Sequence, residues 1–278
     1  MLKHRLITSA LVGLTFVAGL LLLPSWIVVL LLAAALGIAA WEWTRLAGLV
    51  DWYWRAGCTA AVALLSVAIA GLVQPLAGVA VPWLALVIII WLLVALWLVL
   101  GGRPRPRHRP GPYWGWLLLG LVLLPPLTGS ISWLIATAEV PRVLVLYAIA
   151  LIWAADTGAY FFGRAFGRRL LAPAVSAGKT WEGVAGAFAV VAVLSLVCAL
   201  LAGVEAALLP LWLALAMVAT GQSVIGDLLV SVLKREAGVK DSGAILPGHG
   251  GLLDRVDSVM AALPIMALGL AWFPGVGT

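Results

Sequence analysis

Between Ser231 and Ser258 the chain reads SVLKREAGVKDSGAILPGHGGLLDRVDS, a run of ionisable residues and glycines bounded by apolar stretches. Such a charge cluster beside segments able to span a bilayer is costly unless it is paired or binds something ionic. Asp254 and Asp257 are three residues apart, so their carboxylates would share one helix face. Asp227 precedes the run, and Asp156 lies further upstream in LIWAADTGAYFFGR. Aspartates without histidine or cysteine partners present hard oxygen donors, which suit Mg²⁺ and not zinc. Lys234, Arg235, Lys240 and Arg255 are the cations a polyphosphate would need. Gly243, Gly248, Gly250 and Gly251 either let backbone amides approach an anion or simply make the turns into the last helix. His249 is either a hydrogen-bond donor to phosphate or a structural loop residue. The chemistry expected is metal-assisted phosphate chemistry, against the plainer alternative of Asp254 or Asp257 paired with Arg255 or Lys234, or capping a helix.

A second cluster is Ser176-Ala-Gly-Lys-Thr-Trp-Glu-Gly183. Its GKT triplet is not a P-loop, because that motif needs a glycine where Pro173 stands and a soluble strand before it. Ser176, Lys179 and Thr180 are candidates for anion contact near a helix N-terminus. The alternative is an interfacial helix start with Lys179 snorkelling.

These groups must be positioned by membrane helices. Of the 278 residues 64% are hydrophobic and only 10% charged, and the mean hydropathy is +1.16, which excludes a soluble domain with a large core. Apolar runs near 6–23, 26–41, 56–74, 79–100, 113–130, 142–162, 183–204, 206–229 and 252–273 predict nine spans. With the N-terminus inside, one side carries Lys3 and Arg5; Arg45 and Arg55; Arg103, Arg105, Arg107 and Arg109; Arg164, Arg168, Arg169 and Lys179; Lys234, Arg235, Lys240 and Arg255. Only Arg142 falls outside, as the positive-inside rule requires of a correct span count. The C-terminus is then outside. The fold class expected is all-α, a polytopic helical bundle with an N-terminal region (1–140, lipid-facing or dimerising) and a catalytic region (141–278).

Trp41, Trp43, Trp52, Trp54, Trp114, Trp116 and Trp181 lie near span ends and read as interfacial anchors. Cys58 and Cys198 fall in apolar stretches and read as inert thiols. The first span has no small-residue cleavage site and is expected to stay uncleaved. Asp156 sits some fourteen residues into an inward-running span, about 21 Å along it. Asp227 comes late in another. Carboxylates there should face the bundle or a wet cavity.

The run Ser231-x-x-Lys234-Arg235, Lys240-Asp241-x-Gly243, Pro247-x-His249-Gly250-Gly251-x-x-Asp254-Arg255-x-Asp257-Ser258 resembles the C-terminal signature of the phosphatidate cytidylyltransferases, the CDP-diacylglycerol synthases. Asp156-Thr157-Gly158-Ala159-Tyr160, Gly163-Arg164-x-Phe166-Gly167 and Gly178-Lys179-Thr180-x-Glu182-Gly183 also fit that family, so the resemblance covers about 153–258. Trp41-Glu42-Trp43 is a weak further match, and Ala177 departs from the proline more usual there.

The resemblance implies transfer of the cytidylyl group of CTP to phosphatidic acid, giving CDP-diacylglycerol and pyrophosphate in phospholipid biosynthesis. Phosphatidate is already ionised, so scarcity of histidine is no obstacle; in-line positioning and charge neutralisation are what the reaction needs. The expected ligands of Mg²⁺, with a second cation allowed for, are Asp227, Asp254 and Asp257. Asp156, Lys240 and Asp241 complete the catalytic set. Ser176, Lys179, Thr180, Ser231, Lys234, Arg235, His249, Gly250, Gly251 and Arg255 form the substrate-binding set. Expected partners are CTP, phosphatidic acid, membrane lipids and, on the resemblance alone, a second copy of the chain; no nucleic acid is expected. The bacterial cytoplasmic membrane, with the site facing the cytoplasm, is the expected location. A CTP-dependent polyprenol or related lipid kinase and an ion-coupled transporter are the alternatives; the late concentration of acids argues against the repeated halves of a transporter.

Overall fold

A computed structural model describes residues 13–73, 77–104, 111–137, 141–245, 250–271 and 273. Ten helices and one short hairpin follow in order: α1 (Gly13–Leu22), α2 (Ser25–Leu46), α3 (Trp52–Val73), α4 (Ala77–Val99), α5 (Trp114–Leu123), α6 (Pro126–Thr137), α7 (Pro141–Phe166), β1 (Leu170–Ala172), β2 (Ser176–Thr180), α8 (Trp181–Leu201), α9 (Leu209–Glu236) and α10 (Leu253–Leu270). Among the described residues seven helical stretches are long and apolar enough to cross a membrane, α5 and α6 counting as one. The chain is an integral membrane bundle of helices.

Among the described residues each of the nine expected apolar runs contains a helix, with informative differences. The second continues to Leu46, because Glu42, Trp43, Thr44 and Leu46 are buried against protein. The fifth is broken where Pro125 and Pro126 interrupt the backbone ladder. The two runs outside the count of seven are α1, short in its described part, and α10, which carries Asp254, Arg255 and Asp257 in its first turns. α10 tolerates those charges because it is the central helix: it packs on α9, α6, α4, α7 and α2, and most of its side chains are buried. Lipid does not set its polarity.

Small residues let the helices approach. A Cβ on Gly186 of α8 would collide with Phe162 of α7, and one on Gly158 would meet the Gly186 carbonyl, so these two helices pack backbone to backbone. Among the tryptophans, Trp52, Trp54, Trp114 and Trp181 are exposed, as interfacial anchors are. Trp43 is not: it is fully buried, packs edge-to-face on Trp116, and donates from Nε1 to the Trp116 carbonyl at 2.7 Å. Trp116 donates in turn to Glu236 at 2.8 Å. This pair joins α2, α5 and α9 instead of anchoring to the interface.

The helix ends segregate as alternating spans require. At one end the Tyr113 amide donates to Ala47, Trp116 reaches the end of α9, and Arg235 Nε donates to the Val175 carbonyl of the hairpin turn. At the other, Arg142 donates to the carbonyls of Leu20, Leu21 and Leu23. The lone basic residue expected on that side thus caps the C-terminal carbonyls of α1, where a cation is favourable.

Candidate active site

Asp254 and Asp257 open a helix as expected, but the start of the signature, Ser231 to Glu236, is helical too instead of lying in the loop after the eighth span. α9 does not stop near residue 229 but runs to Glu236, helped by Lys234 and Arg235 in its last turn, where cations offset the helix dipole. Asp227, Ser231 and Lys234 therefore lie along one face, and Ser231 Oγ donates to Asp227 Oδ1 at 3.3 Å.

Gly226 explains how Asp227 comes to lie by Asp257. A Cβ at 226 would strike the Asp257 carbonyl and lie 2.7 Å from Ala261 Cβ, so only glycine lets α9 close on α10 here. Gly226→Val is expected to cost about 1–3 kcal/mol through overpacking and to separate the two carboxylates. Thermal unfolding in detergent and turnover should both fall; wild-type values for both would refute this reading of the contact.

Around this contact Asp156 of α7, Asp227 of α9 and Asp257 of α10 interact electrostatically with one another and with Lys179 of β2, and Arg255 acts on Asp156. Lys179 forms an ion pair with Asp227. Asp257 is buried, and its Oδ1 accepts from the Ser258 amide at 2.7 Å. Asp156 is exposed.

Lys179 is delivered by an element the sequence reading did not foresee. Ser176–Thr180 is a strand, paired antiparallel with Leu170–Ala172, instead of an interfacial helix start. Its last residue, Thr180, caps α8 by accepting the Gly183 amide at 3.1 Å. GKT thus lies within a strand and is not the loop of a nucleotide-binding P-loop. Ser176 stands opposite Ala172.

One turn away on α10, Asp254 has a different set of partners. Lys234 Nζ lies 2.7 Å from its Oδ1, and the amides of Ser242 and Gly251 donate to Oδ2 at 2.9 and 3.3 Å. The ion pair that the sequence allowed as a plainer alternative is therefore present. Arg235 is turned to backbone, donating to Val175 and Val239. Lys240, Asp241 and Arg255 are exposed at the same end, and a Cβ on Gly250 would lie 3.1 Å from Asp254 Oδ2. His249 lies outside the described residues.

The residue that sequence reasoning missed is Glu42 of α2, only 3% exposed. Its carboxylate accepts from Ser242 Oγ at 2.8 Å, from the Leu252 amide at 3.1 Å and from the Leu253 amide at 2.9 Å. A Cβ on Gly243 or Gly251 would run into it. The anion that these two glycines admit is thus an internal carboxylate. The available signals were the weak Trp41-Glu42-Trp43 match and an acid at the very end of the second apolar run.

Among the described residues no three His, Cys, Asp or Glu side chains converge as a preformed metal cage. Mg²⁺ does not require one, since it is commonly held by one or two carboxylates together with water and substrate phosphates. The donors fit it: Asp227 and Asp254 each already hold a cation, the Lys179 or Lys234 ammonium, and Asp257 lies beside Asp227.

Fold and site together define an integral membrane protein with a carboxylate- and ammonium-lined site at one end of its bundle. Comparison with known proteins makes this specific. The sequence pattern of the cytidylyltransferase family matches residues 3–273. A phosphatidate cytidylyltransferase of Pseudomonas aeruginosa is 41% identical over 285 residues, covering 100% of this chain and 99% of that protein. Proteins of the same name from Haemophilus influenzae (48% over 127 residues, 45% of this chain and 44% of theirs) and Bacillus subtilis (45% over 130 residues, 46% and 48%) match in part. The chain belongs to the cytidylyltransferase family and is a nucleotidyl-transferring enzyme.

Proposed function

We infer that this chain transfers the cytidylyl group of CTP to phosphatidate, giving CDP-diacylglycerol and pyrophosphate. The observation that carries this reading is the full-length match to a phosphatidate cytidylyltransferase, joined to a cluster of lysines and aspartates at one end of the bundle. A phosphate oxygen of the lipid attacks the α-phosphorus of CTP, and the bond from that phosphorus to the bridging oxygen of the leaving pyrophosphate breaks. The attacking oxygen is already ionised, so no strong base is needed.

Lys179, Lys234 and Arg255, with Lys240, neutralise the triphosphate and the lipid phosphate. Ser176, Thr180, Ser231, Gly250 and His249 contribute hydrogen bonds, Gly251 gives its amide to Asp254, and Arg235 supports the site by tying the hairpin turn to α9. Asp227, Asp254 and Asp257 would hold Mg²⁺, with Asp156 and Asp241 completing the acidic lining. When bound, the ion supplies charge neutralisation at the reacting phosphate. The site faces the cytoplasm, where CTP is found, in the bacterial cytoplasmic membrane; the positive-inside bias supports that orientation. A homodimer and a second cation are further parts of this reading.

Purified protein in detergent, given labelled CTP, phosphatidate and Mg²⁺, is expected to release pyrophosphate and form CDP-diacylglycerol, and to stop on chelation until Mg²⁺ is restored. Release of CDP with a phosphorylated lipid would instead mark a lipid kinase. Flux across liposomes without nucleotide turnover would mark a transporter. No product from demonstrably folded protein would overturn the proposal.

A further inference from the structure

We propose that Glu42 is a positioning residue for cytidylyl transfer, holding the start of α10 and the turn before it through the first half of the chain. The inference rests on the function proposed above and adds a task for a region otherwise read as lipid-facing or dimerising.

Three observations converge on it. First, Glu42 accepts three hydrogen bonds, and two come from the backbone amides of Leu252 and Leu253 at the N-terminal end of α10. Those amides have no partner within the helix and need an acceptor when buried. A carboxylate there also meets the positive end of the helix dipole. Second, Ser242 is the hub between Glu42 and Asp254. Its hydroxyl donates to Glu42 Oε2, its amide donates to Asp254 Oδ2, and its carbonyl accepts from Arg45 Nη2 at 2.7 Å. α2 therefore holds this residue at two points, Glu42 and Arg45. Third, the close approach of Gly243 and Gly251 leaves no room for a side chain between backbone and carboxylate. Asp254 follows Leu253 directly, and Asp257 stands one turn further along α10. Displacing the anchor tilts or frays that turn and misplaces both carboxylates against Asp227, although Glu42 touches neither substrate.

Glutamine is the sharp substitution. It fills the same volume, but its amide group is a donor facing donors, so at least one of the three bonds is lost. Wild type, Glu42→Gln, Ser242→Ala and the double variant are to be compared for kcat, KM and thermal unfolding in detergent. Glu42→Gln should lower kcat roughly 10- to 100-fold, the range typical of residues that orient catalytic ligands. KM for CTP should change much less than kcat, since the residue binds no substrate. The double variant should lose less than the product of the single losses, because the two residues share one hydrogen bond.

If Glu42→Gln fails to fold, Ser242→Ala, which removes a single bond, carries the test: a lower kcat at an unchanged unfolding midpoint supports the proposal, and an unchanged kcat overturns it. Wild-type kcat in folded Glu42→Gln overturns it, as does a loss of activity that merely tracks the unfolded fraction. An inactive wild type would overturn the proposed function and this inference with it, whereas an active wild type matched by Glu42→Gln overturns this inference alone.

Discussion

Asp227→Asn is expected to reduce cytidylyl transfer on the order of 100- to 1000-fold, the scale on which removal of one electrostatic group at a reacting centre is felt. The substitution keeps shape and keeps an oxygen that can accept from Ser231, so helix α9 itself is not disturbed. What it removes is the charge that faces Lys179. Those side chains are 24% and 32% exposed, so the stability loss should lie between the ~1 kcal/mol of a surface pair and the ~3–5 kcal/mol of breaking a buried one. Structure and chemistry are separated by the double variant Lys179→Met with Asp227→Asn. It leaves no uncompensated ammonium and should regain most of the stability, yet stay inactive, because neither group for the phosphates nor the carboxylate for Mg²⁺ is restored. Recovery of activity in the double variant would reduce the pair to a structural salt bridge.

The bundle was legible because membrane helices are written in hydropathy and charge. Apolar runs located most of the helices, and Arg142, the exception in the placement of basic residues, caps α1. Where hydropathy is silent the reading failed. The end of α9 is polar, and only the favourable dipole position of Lys234 and Arg235 could have suggested that the helix continues. The hairpin at 170–180 carries no alternating pattern, its two strands being only three and five residues long. The carboxylates were visible as costly residues, but their partners were not: Lys179 finds Asp227 across 48 positions, and Glu42 finds Leu253 across 211. Of the loop glycines expected either to admit an anion or to make turns, Gly243 and Gly251 stand against a carboxylate. That the anion is Glu42 depends on tertiary contact between the two halves of the chain.

Asp254→Asn separates two roles that coincide in one carboxylate. As an organiser, Asp254 accepts the Ser242 and Gly251 amides through Oδ2, and asparagine can keep both bonds by presenting its carbonyl oxygen there. Its amide nitrogen must then face the Lys234 ammonium, donor against donor. That pair is 12% and 13% exposed, deeper than Lys179 with Asp227, so its loss belongs nearer the ~3–5 kcal/mol of a broken buried pair. Lys234→Met in the same chain removes the stranded charge and should restore the unfolding midpoint. As a metal ligand, Asp254 has a separate signature. The Mg²⁺ concentration for half-maximal rate should rise about 10-fold or more in Asp254→Asn, and it should stay raised in the double variant, whose stability is repaired. Half-saturation at the wild-type Mg²⁺ concentration in both variants would remove Asp254 from the metal set. The ion would then rest on Asp227 and Asp257, which the close approach of α9 and α10 at Gly226 holds side by side.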